Sequence, residues 1–190
     1  MEKIQRNERL TVLHSILCNS PGKAFTLGNF TEMLGCAKSS VSEDIDILRG
    51  YFEKYGIGTI ETIPGASGGV RFLPVISRES ALELASGLSE VLSRKERILP
   101  GGFIYMLDII YDPSTVSERG RVFASTFYSK DIDYVITVET KGIPLAFSTA
   151  KCLNVPLVIV RHYNAATDGP SVNINYVSGS SKKIQSMILS

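Results

Sequence analysis

Leu10, Leu13, Ile16 and Leu17 recur at the three-and-four spacing of a helix face, and Pro21-Gly22 closes that run. Leu27, Phe30, Met33 and Leu34 mark a second, shorter helix ended by Gly35. Val41, Ile45 and Leu48 mark a third, and Ser40 and Glu43 stand near its start at capping-box spacing. The period then changes. Residues 58–63 alternate as a strand, residues 64–69 form a Gly-rich turn, and Val70-Arg71-Phe72 returns. Three helices and a hairpin therefore fill a first domain, residues 1–75.

Residues 76–100 predict a connecting helix with Ala81, Leu84, Leu88, Val91 and Leu92 on one face and Arg94, Lys95 and Arg97 in its last turns. Pro100-Gly101-Gly102 breaks it. Beyond that point strands and helices alternate: an apolar run from Phe103 to Leu107, a helix opened by Asp112-Pro113-Ser114, and a strand from Tyr134 to Val138. A helix from Pro144 to Leu153 and a strand from Leu157 to Val160 follow. Alternation of this kind predicts a parallel sheet. The fold class is α/β overall, with a second domain over residues 76–190.

Composition narrows the picture only a little. The 190 residues are 44% hydrophobic and 21% charged, which permits a packed core and argues against disorder. The apolar runs are too short to span a bilayer, and Met1-Glu2-Lys3-Ile4-Gln5-Arg6 is no secretory leader, so a cytoplasmic location without membrane attachment is expected. Cys18, Cys36 and Cys152 lie far apart and only His14 and His162 are available, so neither a metal site nor a cofactor is expected. The net charge of +1 says nothing about nucleic acid. Residues 1–75 carry eight Lys or Arg and eight Asp or Glu, so any DNA contact has to come from local placement of charge.

A short helix, a Gly turn, a second helix and a Gly-rich hairpin is the order of a winged helix-turn-helix. In that arrangement the N-terminal residues of the second helix reach DNA bases and phosphates, and here they are Lys38, Ser39, Ser40 and Ser42. Lys3, Arg6 and Arg9 form a second basic cluster, and Arg71 lies on the wing. Glu43, Asp44 and Asp46 would repel DNA, so most of them are expected on the outer side of the helix. Helical pattern alone leaves a small interaction module equally open.

More specific are Ala37-Lys38-Ser39-Ser40-Val41-Ser42-Glu43-Asp44 and Gly65-Ala66-Ser67-Gly68-Gly69-Val70. They resemble the recognition helix and wing of the purine repressors of Gram-positive bacteria. Leu99-Pro100-Gly101-Gly102-Phe103, Thr140-Lys141-Gly142-Ile143-Pro144 and residues 172–181 resemble the same family, in the same order along the chain. The resemblance implies a winged helix fused to a domain of the type I phosphoribosyltransferase fold. It also implies a dimer that binds operator DNA, represses purine-synthesis genes and senses phosphoribosyl pyrophosphate without acting as an enzyme.

The residues bear on the effector site independently. The strand from Tyr134 to Val138 runs through Glu139-Thr140-Lys141-Gly142 into a helix, a turn that aims amides and a helix N-terminus at one point and suits phosphate. By resemblance this is the pyrophosphate loop, with Gly142 supplying unusual backbone angles and Lys141 charge. Arg161 resembles a basic position beside the site, followed by His162 where relatives more often carry lysine. The segment from Asn175 to Ser181, with Tyr176, resembles the mobile loop that covers the ligand.

The ribose-phosphate signature of two adjacent acids and a Gly-Thr loop does not occur, and the chain stops at Met187-Ile188-Leu189-Ser190. The second domain therefore reads as truncated and the effector site as half a site. An alternative is an active purine phosphoribosyltransferase with an accessory winged helix. A dimerisation module without ligand is a third reading.

Overall fold

The computed structural model describes residues 4–65, 68–162 and 169–189 of the chain. Three helices open it: α1 (Arg6–Asn19), α2 (Leu27–Leu34) and α3 (Lys38–Lys54). A three-stranded antiparallel sheet covers them, in the order β1 (Ala24–Phe25), β3 (Gly69–Leu73), β2 (Thr59–Ile63). The apolar positions that spaced these helices meet in one core. Leu13, Leu17, Phe30, Val41 and Phe52 are fully buried, and Ile60, Val70 and Phe72 close the core from the sheet. Phe52 meets Phe72 edge-on at 5.1 Å, a geometry that suits the ring quadrupoles. The two-residue β1 was invisible to periodicity because it is too short to alternate.

One charged pair lies inside this domain. Asp44 is fully buried and Arg9 nearly so; Arg9 Nε donates to Asp44 Oδ2 at 2.6 Å and Nη2 to Oδ1 at 3.2 Å. Arg9 Nη1 also donates to the Ile4 carbonyl, which uses a third donor of the guanidinium fork. The bond to Asp44 holds the Arg9 pKa above its ordinary value. The expected outward placement of the acids is therefore corrected for Asp44: three residues after Val41, it lies on the buried face and is neutralised by α1.

The C-terminal half begins with α4 (Arg78–Leu92), whose N-cap Ser77 accepts from the Ser80 amide. This helix stops at Leu92, and the cations expected in its last turns fall on a 3-10 turn, Lys95–Arg97, and on Arg94, its N-cap. A two-stranded arm follows, β4 (Ile98–Leu99) with β5 (Phe103–Ile104), then α5 (Leu107–Ile110). The apolar run at Phe103 is thus no buried strand; Phe103 is 70% exposed. Arg97 ties the arm down with two bonds to the Asp108 carboxylate, at 2.9 and 2.7 Å.

Then come α6 (Pro113–Phe127), β6 (Val135–Val138), α7 (Ile143–Leu153) and β7 (Leu157–Arg161). The strands β8 (Val172–Val177) and β9 (Ile184–Leu189) complete the described chain. Asp112 caps α6 by accepting from the Thr115 amide, and bonds from Thr115 and Ser114 hold its carboxyl at about 2. The sheet order is β6-β7-β9-β8. Only β6 and β7 are parallel; β9 runs antiparallel to both β7 and β8. The expected parallel sheet is therefore a mixed one. An antiparallel hairpin has been added at one side, and its exposed, polar-interleaved residues gave no apolar face to read.

Replacing Asp44 with alanine would leave the Arg9 charge buried without its partner, which costs about 3–5 kcal/mol of stability. Denaturant unfolding of the variant beside the unmodified protein measures that loss; a change under about 1 kcal/mol would mean that Arg9 finds water instead.

Candidate nucleic-acid interface and effector loop

Helix N-termini expose amide donors that need partners. Among the described helices of eight residues or more, four satisfy theirs with side chains: Glu8 accepts from the Gln5 amide at α1, and Thr26, Ser77 and Asp112 cap α2, α4 and α6. Two do not. The N-cap of α3 is Ala37 and that of α7 is Gly142, and neither has a side-chain cap. Both places are where the sequence put a phosphate contact.

At α3, Lys38, Ser39 and Ser42 are exposed and Ser40 is half-buried, all in the first turn or just beyond it. The expected capping box is absent. The helix starts two residues earlier than Ser40, and Glu43 pairs with Arg6 instead, at 3.0 Å. A cleft of about 610 Å³ runs between α2, α3 and the wing, and Lys38, Ser42, Arg49, Thr26 and Gly69 line it. Arg49, to which no motif pointed, holds β2 against α3. Its Nε donates to the Ile60 carbonyl at 2.9 Å and its Nη2 to Thr62 Oγ1 at 3.0 Å, both on β2, while Asp46 pairs with its other nitrogen. A lone arginine five residues beyond the end of the Ala37–Asp44 motif carries no sequence signal for this task.

The second basic cluster does not survive as free charge. Arg9 is withdrawn from the candidate DNA contacts because it is buried on Asp44. Arg6 stays half exposed, but its guanidinium spans Glu43 and, at 3.4 Å, Asp44. Arg71 faces Glu61 directly across the β2–β3 ladder and bonds it at 2.8 Å. These arginines cancel the acids that would repel DNA. Lys3 lies outside the described residues, as do Ala66 and Ser67 at the wing tip.

At α7 the loop of residues 139–142 leaves β6 beside the end of β7. The Glu139 amide donates to the Val160 carbonyl and the Glu139 carboxylate accepts from the His162 amide, each at 3.0 Å. Glu139 therefore anchors the loop, while Thr140, Lys141 and Gly142 are exposed. Gly142 corrects the expectation of unusual backbone angles: its φ is −77° and ψ −15°, an ordinary helical pair. Glycine is needed here for space, since an added Cβ would lie 2.6 Å from Thr137 Oγ1.

Arg161 ends β7 next to this loop. Tyr176 is not brought to it. Asn173 pairs with Ile188, which pairs with Arg161, so Tyr176 stands three residues, roughly 10 Å, farther out along the hairpin. Its hydroxyl donates to Gln185 Oε1 at 2.7 Å. The hairpin does extend past the same end of the strands as residues 139–142, and residues 178–183 form its turn.

The family described as bacterial purine repressor, N-terminal, matches residues 5–74. The purine biosynthesis transcriptional repressor PurR of Bacillus subtilis is 49% identical over 187 residues, covering 98% of this chain and 66% of that protein. The purine biosynthesis transcriptional activator PurR of Lactococcus lactis is 43% identical over 187 residues, covering 98% of this chain and 69% of that protein. The chain belongs to the bacterial purine repressor family. It spans about two thirds of the length of these relatives, and both are named for transcriptional regulation and neither for an enzymatic activity. Among solved structures, the adenine phosphoribosyl transferase of Trypanosoma brucei with AMP, pyrophosphate and ribose-5-phosphate superposes with a TM-score of 0.43 at 18% identity, over 60% of this chain and 50% of that one. No helix among the described residues is long and apolar enough to cross a membrane.

Gly142→Ala should destabilise the second half of this purine repressor chain by about 1–3 kcal/mol through overpacking on Thr137. Thr137→Ala removes the obstructing oxygen, so the double variant should recover most of the loss in thermal unfolding. Equal losses in the single and double variants would show that the loop, and not Thr137, resists the side chain.

Proposed function

We propose that this chain carries the operator-binding and effector-sensing parts of a repressor of purine-synthesis genes, which binds double-stranded DNA as a homodimer and responds to phosphoribosyl pyrophosphate. The observation that supports it most is the start of α3 in a member of this family: exposed Lys38, Ser39 and Ser42 above first-turn amides that no side chain caps. Such a helix end favours a phosphate by its dipole and its free donors together. Small hydroxyls let the DNA backbone approach closely, and Lys38 adds a charge that Glu43 and Asp44 do not cancel, being held by Arg6 and Arg9. A homodimer suits the paired half-sites that helix-turn-helix proteins read.

The effector role rests on α7. Its start without a side-chain cap and the exposed Lys141 are suited to a pyrophosphate group. Glu139 holds the loop rather than the ligand, and Arg161 lies beside it. Phosphoribosyl pyrophosphate acts here as a signal and is not turned over. Repression is favoured over activation by the greater identity to the Bacillus subtilis repressor than to the Lactococcus lactis activator.

The test is the mobility of a duplex from upstream of the organism's own purine-synthesis genes, with and without phosphoribosyl pyrophosphate, beside a pyrophosphate-release assay with free purine bases. A shifted duplex whose affinity changes with the effector, and no pyrophosphate release, is the expected result. Release with any base would make the protein a phosphoribosyltransferase, and an unshifted duplex would remove DNA binding. Lys38→Ala should weaken binding to operator and random duplex alike and lower the salt slope by about 1. Arg71→Ala should leave that slope unchanged, since Glu61 already occupies its charge.

A further inference from the structure

The winged-helix domain is attached to the second half through an arginine that no motif singled out. Arg121, half-buried on α6, donates to three backbone carbonyls of the first domain: Nε to Pro74, and Nη2 to both Gly56 and Ile57, each at 3.0 Å. Gly56 and Ile57 follow α3 and lead into β2, and Pro74 follows β3. One guanidinium thus closes the base of the wing and receives the end of the recognition helix. A turn farther along α6, Ser125 Oγ accepts from the Ile76 amide at 2.9 Å and donates back to the Arg121 carbonyl at 2.7 Å.

Behind Arg121, α6 and α7 pack as one layer. An added Cβ on Gly120 would lie 2.2 Å from Ser148 Oγ, so the two backbones nearly touch there, and Ala124, Thr149 and Ala150 are buried. Arg121 also faces the far end of α7. Its charge works against the burial that pushes the Cys152 thiol up. The last residues of α7 then press on the first domain, because an added Cβ on Gly22 would lie 2.5 Å from Asn154 Cβ and 3.0 Å from the Leu153 carbonyl oxygen. Gly22, at φ +72°, makes the turn between α1 and β1.

The two ends of α7 therefore have different company. Its start is the 139–142 loop and its end is the winged domain, about 16 Å away along an 11-residue helix. A helix is stiff over that length, so a displacement of its start moves its end and, through the Gly120–Ser148 contact, α6.

We propose that Arg121 is the positioning residue that mounts the recognition helix and wing on the α6–α7 layer, so that occupancy of the 139–142 loop alters the grip on DNA. This rests on the effector reading given under Proposed function. A planar fork bonded to three carbonyls fixes direction as well as distance, which a single ammonium cannot do. The coupling is also reciprocal, so DNA changes effector affinity by the factor by which the effector changes DNA affinity.

The test uses the full-length protein with Arg121→Ala and Arg121→Lys. Amide exchange at residues 55–57 and 76, measured without ligand, should quicken at least tenfold in Arg121→Ala and less in Arg121→Lys, with the core of α1 and α3 unchanged. Unchanged exchange at those residues overturns the proposal whatever the ligand does. Fluorescence anisotropy of operator duplex with and without phosphoribosyl pyrophosphate should show the response falling below twofold in Arg121→Ala. It should be partly restored in Arg121→Lys, with the binding of phosphoribosyl pyrophosphate to DNA-free protein retained. A full response in Arg121→Ala overturns the transmission. If the unmodified protein itself gives no response, the effector reading fails, and the exchange result still decides the mount.

Discussion

The buried pair of Arg9 and Asp44 is the interaction on which the front of the molecule depends. A carboxylate on the recognition helix is a liability beside DNA, and a carboxylate in a core is costly without a cation bonded to it. Both problems have one solution here. Asp44 turns inward, Arg9 comes from α1 to meet it with two hydrogen bonds, and α1 is thereby fixed against α3. Arg6 continues the same neutralisation at the surface by taking Glu43. What remains at the start of α3 is Lys38 and a row of hydroxyls.

The same economy of partners separates the helix ends. Among the described helices of eight residues or more, α2, α4 and α6 have side-chain N-caps and α1 has Glu8 on its N-cap amide, whereas α3 and α7, one in the winged domain and one after the 139–142 loop, have no side-chain cap. Packing then joins those ends. Gly120 lets α6 lie on α7, Arg121 holds the base of the wing, and Gly22 receives the end of α7. These three residues, marked by no motif, join the two halves together with the Ser125–Ile76 bond.

Much of the winged domain was legible because its core is periodic. Leu13, Leu17, Phe30, Val41 and Ile45 are spaced as helix faces and are buried as such. Charge was misread for a physical reason: a one-dimensional pattern shows that Arg9 and Asp44 are charged, but not that they meet across 35 positions. The Ser40–Glu43 capping box failed likewise, since Glu43 had a stronger partner on another helix. In the second half, β6, α7 and β7 declared themselves by apolar runs. The β8–β9 hairpin did not, because most of its residues are exposed on both faces and its polar and apolar positions follow no buried side. Gly142 was read as a source of unusual backbone angles, but its angles are ordinary helical ones, and what a side chain there would meet is Thr137 on the preceding strand.

The most direct measurement is the salt dependence of operator binding by the double variant Arg9→Leu, Asp44→Leu, beside the unmodified protein. Replacing a buried ion pair with apolar side chains of similar volume is often neutral for stability, so the domain should remain folded. With Arg9 facing Asp44 rather than DNA, affinity and the slope of log affinity against log salt should match the unmodified protein. A slope lowered by about 1, with weaker binding to every duplex, would place Arg9 on a phosphate and contradict the inward pairing of charge.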